Sequence, residues 1–292
     1  ELARAARAGL TPALSDVDSV RGWAEAARGE GRRLAFQVEI DTGMGRAGLP
    51  FDRAGEWGPA VEAAAGDLLE WEGCFTHFHS ADEPELAPTD EQQRRFRQAL
   101  DALPPPRGGS VRRVIHSANS AATLRRHGYG GDLVRPGIFL YGGSAGPGAR
   151  PEPVAAVRAR IALVKEVPAG WSCGYGATYT ARRPERWGTL SIGYGDGLPR
   201  ALSPGGGEAL VRGRRVPIIG RISMDMTVVD LTEVPQAAAG DAATLIGRDG
   251  GEEITVDEVA ARAGTISYEV LTGLAPRLPR LYLDGTRAPG GA

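Results

Sequence analysis

The sequence predicts an α/β chain that begins with a partial (β/α)8 TIM-type barrel, its last five units, and continues into an all-β C-terminal domain. Short apolar runs alternate with amphipathic helical stretches over residues 1–142. Each repeat takes roughly 30 residues, as in an eight-fold barrel of about 250 residues. After a Gly- and Pro-rich linker at 142–151, the pattern changes to short alternating strands. We therefore expect barrel units at 1–145 and a β-rich domain at 150–292. An open, doubly wound sheet of five strands is the alternative for the first part.

Five apolar runs in the first part have the composition of strands, and amphipathic segments separate them. The clearest helices follow Asp16, begin near Phe51, and cover 90–100, and a shorter one opens at Asn119 and Ser120. Asp16 is a typical helix-capping residue. Strands separated by helices predict right-handed βαβ units and a parallel sheet. The predicted strands are 11–15, 34–40, 73–78, 111–116 and 133–137.

The second part carries five alternating segments punctuated by Gly and Pro, a pattern typical of antiparallel strands. Together they predict an all-β domain of roughly 140 residues. The segments are 154–167, 187–193, 208–219, 221–230 and 243–248.

The composition limits the classes of function. The net charge is −2 and no basic patch occurs, which argues against nucleic-acid binding. Apolar runs fall short of the roughly 20 residues needed to cross a bilayer. No signal peptide is recognisable, so a cytoplasmic protein is expected. The two cysteines, Cys74 and Cys173, match no metal or disulfide spacing.

Polar residues follow the predicted barrel strands at the points where those strands end. The carboxyl ends of barrel strands meet at one rim, which is the active-site face of this fold. Each position alone has a structural interpretation, since Asp41 can cap a helix and His77 can be a satisfied core histidine. Four such positions on one rim favour a site. They are the 41–46 loop, His77, His116 with Asn119 and Ser120, and Arg135.

Several of these residues suit an anion. Arg46 lies behind two glycines, an arrangement that allows bidentate binding of a carboxylate or phosphate. Backbone N–H groups at Gly137 and at the helix start near Ser120 suit an anion as well. No Walker-type loop and no Rossmann fingerprint occurs, so a nucleotide ligand is poorly supported.

Gly-rich loops of the second part carry Tyr175, Tyr194 and Asp225. A loop tyrosine between glycines is most often an exposed turn residue. A tyrosine that transfers protons needs a neighbour that lowers its pKa. Both interpretations stay open from the residues alone.

Lys165 is the only lysine in the 292 residues. It lies in an alternating run whose charged side chains lean toward solvent. Arginine, which carries nearly all other positive charge, cannot deprotonate and so cannot form a Schiff base with a carbonyl cofactor. If the chain serves such a cofactor, we expect the anchoring lysine to lie elsewhere.

Eight segments, in one order over nearly the whole chain, resemble the alanine racemase family. Members of that family bind pyridoxal 5′-phosphate in an eight-fold barrel that precedes a C-terminal β domain. The resemblance implies an isomerase that interconverts L- and D-alanine and supplies D-alanine for peptidoglycan. It also implies a head-to-tail homodimer with shared active sites. The segments are 41–46, 76–78, 116–122, 134–142, 175–179, 192–197, 220–226 and 268–270.

The resemblance implies a role for each matching residue, and no metal. Tyr175 would be one of two acid–base groups and would act in the site of the other subunit. Arg46 and the backbone amide of Met224 would bind the substrate carboxylate. His77 would lie against the pyridine ring of the cofactor, and Arg135 would face its nitrogen as a permanent cation. The phosphate would be held by Ser120, Gly137, Ile138 and Tyr268. The residues at the entrance of the active site, or next to the residues that contact the ligand, would be Glu39, His116, Asn119, Tyr194 and Asp225.

In the family the second acid–base group is the cofactor-bearing lysine, which ends the first barrel strand. The resemblance therefore implies that three barrel units with this lysine precede Glu1. We expect the 292-residue chain to be inactive alone. We also expect it to aggregate, since unclosed barrel strands expose sheet edges. Two further functions stay open: a serine or broad-specificity racemase, and a catalytically dead homologue that binds pyridoxal phosphate.

Position 39 departs from the family pattern. Many relatives carry a lysine two residues before Asp41, and its carbamate steadies the arginine of the motif. Here the residue is Glu39, which already has a negative charge and could replace the carbamate electrostatically. A solvated strand residue is the alternative.

Overall fold

The chain forms two compact units in the computed structural model, which describes residues 1–106, 112–125, 128–203 and 205–283. Unit 1 contains Glu1–Phe139 and Ala145–Arg150, and unit 2 contains Leu140–Ser144 and the chain from Pro151 onward. Each unit has its own buried apolar core. The end of the predicted β-rich domain, 284–292, lies outside the described residues.

Unit 1 is built on a parallel sheet, as the sequence predicts. Among the described residues its strands are β1 (Ala13–Leu14), β2 (Leu34–Asp41), β3 (Leu49–Pro50), β4 (Leu69–Phe75) and β5 (Val114–His116). All pairings are parallel. The order is β1-β2-β4-β5, and β3 pairs with the end of β2. Position 111, where the sequence predicts that the strand before His116 begins, lies outside the described residues.

The helices of unit 1 are α1 (Leu2–Arg7), α2 (Val17–Glu30), α3 (Ala54–Ala65), α4 (Ala87–Ala102) and α5 (Ser120–Arg125). Asp16 caps α2 as predicted, because its carboxylate accepts a hydrogen bond from the Ser19 N–H at 2.7 Å. The helix ends at Gly31, whose φ of 62° is the left-handed conformation that glycine adopts readily. A 3₁₀ turn at Phe51–Arg53 leads into α3.

The side chains of β2 alternate between two environments. Phe36, Val38 and Ile40 are fully buried and share a core with Trp23 of α2 and Val61 of α3. Successive side chains of a strand point to opposite faces. The other face is only partly buried, and it carries Ala35, Gln37, Glu39 and Asp41.

The predicted strand at 133–137 is wrong. This segment makes only an isolated bridge, between Asn119 and Arg135. Pro136 has no N–H with which to continue a ladder. The fifth described strand is instead β3, whose two residues are too few to give a periodic signal.

Unit 2 contains a closed antiparallel sheet. Its described strands are β6 (Val157–Val167), β7 (Ser172–Cys173), β8 (Tyr179–Thr180), β9 (Glu185–Leu190), β10 (Glu208–Val211), β11 (Arg214–Ile219), β12 (Thr227–Asp230), β13 (Ala242–Asp249) and β14 (Glu252–Ile254). The order is β10-β11-β12-β9-β6-β13-β14, and β10 pairs with β13 as well. Six strands therefore close into a ring.

The predicted strand at 208–219 is the hairpin β10–β11. It turns at Arg212 and Gly213, whose φ values of 51° and 74° are typical of a type I′ turn. The predicted strand at 221–230 begins only at Thr227, because the preceding residues form a loop.

The described part of unit 2 also contains two α-helices, which the predicted all-β domain does not include: α6 (Val256–Ala263) and α7 (Ser267–Gly273). The hydroxyl of Thr255 accepts the Glu258 N–H at 3.0 Å, so Thr255 caps α6. The Thr-x-x-Glu spacing is a known signature of a helix start. In the part of the chain that the structure describes, no helix has the length and apolar character that crossing a membrane requires.

Candidate active site

The loop after β2 is shaped by Asp41 and carries the exposed Arg46. Asp41 accepts hydrogen bonds from the N–H groups of Gly43 at 2.9 Å and Gly45 at 3.1 Å. These glycines have φ of 137° and 68°, values that other residues adopt only with strain. Arg46 is exposed, and its guanidinium pairs with none of the described residues. Asp41 therefore shapes the loop and leaves Arg46 available to a ligand.

His77 follows β4 and is partly buried. Burial lowers its pKa from the ordinary value, and the positive charges of Arg135 and Arg46 lower it further. The ring is therefore neutral at physiological pH. A neutral ring under the influence of two guanidinium groups suits a planar ligand that carries negative charge.

Hydrogen bonds on both terminal nitrogens fix Arg135. Nη1 donates to Nδ1 of His116 at 2.6 Å, and Nη2 donates to the carbonyls of Thr76 at 2.8 Å and Ser117 at 3.3 Å. Its Cζ lies 5.1 Å from the centre of the Phe75 ring. Within the described ranges, the Nε–H has no hydrogen-bond partner. Arg135 thus has an Nε–H available to a ligand on a guanidinium whose two terminal nitrogens are held by hydrogen bonds.

The histidine that holds Arg135 is uncharged. His116 is buried and stacks on Phe75, with ring centres 5.1 Å apart and planes at 6°. Burial, with a contribution from the charge of Arg135, lowers the pKa of His116 to about 4. Since Nδ1 accepts from Arg135, Nε2 carries the hydrogen and donates to Oε1 of Gln37 at 2.7 Å. Gln37 in turn donates to Glu72 at 3.3 Å.

The start of α5 and the segment after Arg135 meet at Ser120. The hydroxyl of Ser120 accepts the Gly137 N–H at 2.7 Å, and none of the described residues accepts the hydroxyl hydrogen. Ser120 and Ile138 are buried, whereas a Cβ added at Gly137 would meet open space. Asn119 is the helix cap, since its Oδ1 accepts the Ala122 N–H at 3.0 Å.

Glu39 lies on the polar face of β2 and is partly exposed. Burial lowers the pKa of Arg135, and the carboxylate of Glu39 acts in the opposite direction. The two charges are therefore close enough to influence each other. Glu39 makes no hydrogen bond or ion pair within the described part of the chain, Arg46 included.

Two loops of unit 2 carry Tyr194 and Met224 side by side. The Tyr194 N–H donates to the carbonyl of Ser223 at 3.0 Å, and the Gly195 N–H donates to the carbonyl of Met224 at 2.8 Å. The approach depends on Gly193. A Cβ at that position would lie 2.3 Å from the oxygen of Ser223 and 2.5 Å from that of Met224.

A third loop presents Tyr175 between two glycines. Gly174 and Gly176 have φ of 73° and 72°. A Cβ at Gly174 would lie 2.8 Å from the backbone nitrogen of Arg221, so this loop contacts the segment that leads to Met224. Tyr175 is 69% exposed, and its hydroxyl bonds to none of the described residues.

Arg277 joins two of these loops, a role that the sequence did not reveal. Its Nε donates to Asp196 at 2.7 Å, and its Nη2 donates to Asp225 at 2.7 Å. The hydrogen bonds to these two carboxylates raise the pKa of Arg277. Asp196 also accepts the Gly193 N–H at 2.9 Å. The partners lie 81 and 52 residues away along the chain, so no local pattern connects them.

Tyr268, which the sequence also predicts as a site residue, lies on α7 and is half exposed. Its carbonyl accepts the Thr272 hydroxyl at 2.7 Å.

No cluster of three or more side chains that could hold a metal occurs among the described residues. Each unit thus brings its own share of the predicted residues together. Unit 1 contributes Glu39, Arg46, His77, His116, Asn119, Ser120, Arg135, Gly137 and Ile138, and unit 2 contributes Tyr175, Tyr194, Met224 and Asp225.

Known proteins resemble this chain over most of its length. Residues 1–145 match the family described as alanine racemase, N-terminal domain, and residues 154–282 match alanine racemase, C-terminal domain. A curated alanine racemase from Methylobacterium sp. (strain 4-46) is 42% identical over 282 residues, which cover 94% of this chain and 72% of that protein. For eight curated relatives, the share that this chain spans runs from 64% to 76%.

Solved structures agree in fold. The alanine racemase of D-cycloserine-producing Streptomyces lavendulae has a TM-score of 0.89 at 36% identity, and the match covers 97% of this chain and 75% of that one. The alanine racemase of Bartonella henselae, with covalently bound pyridoxal phosphate, has a TM-score of 0.83 at 29% identity, and the match covers 96% and 75%. The expected partial barrel followed by a β domain is confirmed.

A parallel α/β sheet followed by a closed antiparallel β domain places the chain among barrel proteins with a C-terminal β domain, a class that includes an alanine racemase solved with covalently bound pyridoxal phosphate. Among these, the chain belongs to the alanine racemase family.

Proposed function

We propose that the protein containing this chain is an alanine racemase that uses pyridoxal 5′-phosphate and supplies D-alanine for peptidoglycan. The observation that carries the proposal is Arg135, which His116 and two carbonyls hold in place while none of the described residues accepts its Nε–H. Arginine does not lose its proton in a protein, so this donor is permanent. A pyridine nitrogen is an acceptor that such a donor fits.

Other residues of unit 1 suit the pyridine ring and the phosphate of the cofactor and the carboxylate of the substrate. We assign the neutral ring of His77 to the face of the pyridine ring, and the unpaired Arg46 to the carboxylate of the amino acid. The hydroxyl hydrogen of Ser120, which none of the described residues accepts, suits a phosphate oxygen. We also assign Gly137, Ile138 and Tyr268 to the phosphate. The backbone amide of Met224 is assigned to the carboxylate of the amino acid.

When bound, pyridoxal phosphate draws electron density away from the α-carbon of an amino acid and so weakens its Cα–H bond. Arg135 would limit this withdrawal, because a permanent cation beside the pyridine nitrogen would keep that nitrogen unprotonated. The bound cofactor would then be a milder electron acceptor, which would disfavour side reactions such as transamination.

Racemisation requires a proton-transfer group on each face of the substrate. Tyr175 serves one face in this proposal, and its exposed position allows it to reach the site of a second subunit. The other group is a lysine. Lys165 does not suit that role, because it lies exposed on β6 with its Nζ 5.3 Å from the centre of the Trp187 ring. The proposed activity therefore requires a lysine outside these 292 residues.

The proposal includes a head-to-tail homodimer and a cytoplasmic location, where D-alanine is needed for cell-wall precursors. The exposed side chains of Tyr175, Tyr194 and Met224 support the dimer, since a second subunit would cover them. Alanine is chosen over serine because the relatives are alanine racemases. Comparing kcat/KM for the two amino acids tests that choice.

The decisive experiment is to express the full reading frame that contains this sequence and to follow interconversion of L- and D-alanine. We expect turnover in both directions and an absorbance band from bound cofactor. Bound cofactor without turnover would instead support a non-catalytic homologue. The 292-residue chain assayed alone should show no turnover.

A further inference from the structure

Gln92 is a buried polar side chain that none of the roles above employs. It lies on the buried face of α4 with Thr89, Phe96 and Ala99, and it is 1% exposed. An amide in such a position has lost its hydration, which is costly unless protein groups take the place of water.

The loops of the candidate site supply those groups. The Gln92 Oε1 accepts the His79 N–H at 3.0 Å, and its Nε2 donates to the carbonyl of His77 at 3.0 Å and to Oγ1 of Thr42 at 3.2 Å. The amide has a single possible orientation, because a backbone N–H only donates and a carbonyl only accepts. Gln92 therefore holds the backbone from the carbonyl of His77 to the N–H of His79, and it also holds the start of the loop that carries Arg46.

The same hydrogen bonds continue toward Arg135. Oγ1 of Thr42 and Oγ1 of Thr76 are 2.7 Å apart, and both residues are fully buried. The carbonyl of Thr76 accepts from Arg135, as described above. Arg95, three residues after Gln92 on α4, donates to the carbonyl of Thr42 at 3.0 Å. A continuous set of bonds thus runs from α4 through both loops.

We propose that Gln92 is a positioning residue of the active site. Without contacting the ligand, it fixes where His77 and the Arg46 loop lie relative to Arg135. The identity of the ligand rests on the proposed function. The positioning itself rests only on the contacts within unit 1.

The first test replaces Gln92 with methionine in the full-length protein, because methionine keeps the volume and removes all three hydrogen bonds. The control is Gln98→Met, which changes an exposed glutamine on the same helix. We expect Gln92→Met to lower kcat by about 10- to 100-fold with a smaller change in KM, since displacements near 1 Å cost about that much. The absorbance spectrum of bound cofactor should shift. The control should match the wild type in each measurement.

A second measurement does not depend on the cofactor. Nuclear magnetic resonance titration of the cofactor-free protein reports the pKa of His77, and a His77→Asn variant assigns its signal. In Gln92→Met we expect that pKa to rise, because a loosened loop makes His77 less buried and moves it away from Arg135 and Arg46. This result would support the proposal even if the protein binds no pyridoxal phosphate. An unchanged kcat, spectrum and His77 titration would overturn it.

If Gln92→Met does not fold, Thr42 provides the test. Thr42→Val removes the hydroxyl that receives the Gln92 amide, whereas Thr42→Ser retains it. We expect the valine variant to lose kcat and to raise the pKa of His77, and the serine variant to keep both. Equal behaviour of the two variants would contradict the role of this hydrogen-bond set.

Discussion

Arg135 is held by acceptors that leave its charge intact. A carboxylate partner would neutralise the guanidinium, whereas the neutral His116 and the carbonyls of Thr76 and Ser117 accept its hydrogens without carrying a charge. The histidine can do this only while it is unprotonated. Burial keeps it so, and the positive charge remains available to a ligand.

The protonation of His116 should therefore limit stability in acid. Its folded-state pKa is about 4, below the ordinary 6.5. The unfolded chain binds this proton more readily, so stability is lost as pH falls from 6.5 through about 4. The loss should be on the order of 2 kcal/mol.

Denaturant unfolding of the full-length protein at pH 4.5 and pH 7 measures this change. His116→Gln should lack the contribution of this residue, while retaining the smaller one from His77, whose pKa is lowered too. If the free energy of unfolding changed with pH equally in the wild type and the variant, the assignment to His116 would be ruled out.

Arg46 should act mainly in substrate binding. Hydrogen bonds to charged groups contribute roughly 1.5–3 kcal/mol, so Arg46→Ala should raise KM for alanine by about 10- to 100-fold. Arg97→Ala, at an exposed arginine on α4, is the control and should leave KM unchanged. Steady-state kinetics in both directions gives the values. A normal KM in Arg46→Ala would show that the carboxylate binds elsewhere.

At the scale of elements, the position of Tyr194 depends on how closely two loops of unit 2 pack. Backbone hydrogen bonds join them, Gly193 permits the approach, and Arg277 ties Asp196 to Asp225 across the same junction. The Tyr194 side chain and the Met224 amide are therefore placed by backbone contact.

Gly193→Ala should disrupt this junction. Its Cβ would lie within 2.5 Å of two carbonyl oxygens, both on the backbone, so the loops must separate. We expect a loss of stability of about 2–4 kcal/mol and a marked fall in kcat/KM. Gly251→Ala, where an added Cβ meets nothing within 4 Å, is the matched control. Equal melting temperatures for the two variants would contradict the steric argument.

The sequence predicts elements best where local chemistry decides them. The strand predicted at 34–40 and the cap predicted at Asp16 depend on local sequence, and both are confirmed. The cap of α6 at Thr255 is just as local, although the short alternating strands around it predict an all-β domain. Gln92 could not be recognised, because a glutamine in an amphipathic helix looks the same whether it meets solvent or a loop 50 residues away.

At the scale of the whole molecule, the units differ in their sheet edges. In unit 2, β10 pairs with both β11 and β13, and the ring closes. In unit 1, the described sheet ends at β1 and β5. Unpaired edges recruit other strands, whereas closure removes them.

Expressed separately, the two parts should behave differently. We expect residues 151–283 to be monodisperse and to melt cooperatively, and residues 1–150 to aggregate. Size-exclusion chromatography and thermal unfolding distinguish the outcomes. A sharply melting monomer of residues 1–150 would show that its edges need no partner, and would also contradict the expected aggregation of the 292-residue chain.

The lysine on β6 also affects the choice of reagents. Aldehydes and active esters attack primary amines, and Lys165 presents the only side-chain amine in these 292 residues. A fluorophore attached there would sit beside the indole of Trp187 and report on this strand alone. By the same reasoning, borohydride could attach the cofactor covalently to Lys165 at the protein surface. A Lys165→Arg protein is therefore the proper blank whenever covalent capture is taken as a sign of specific binding.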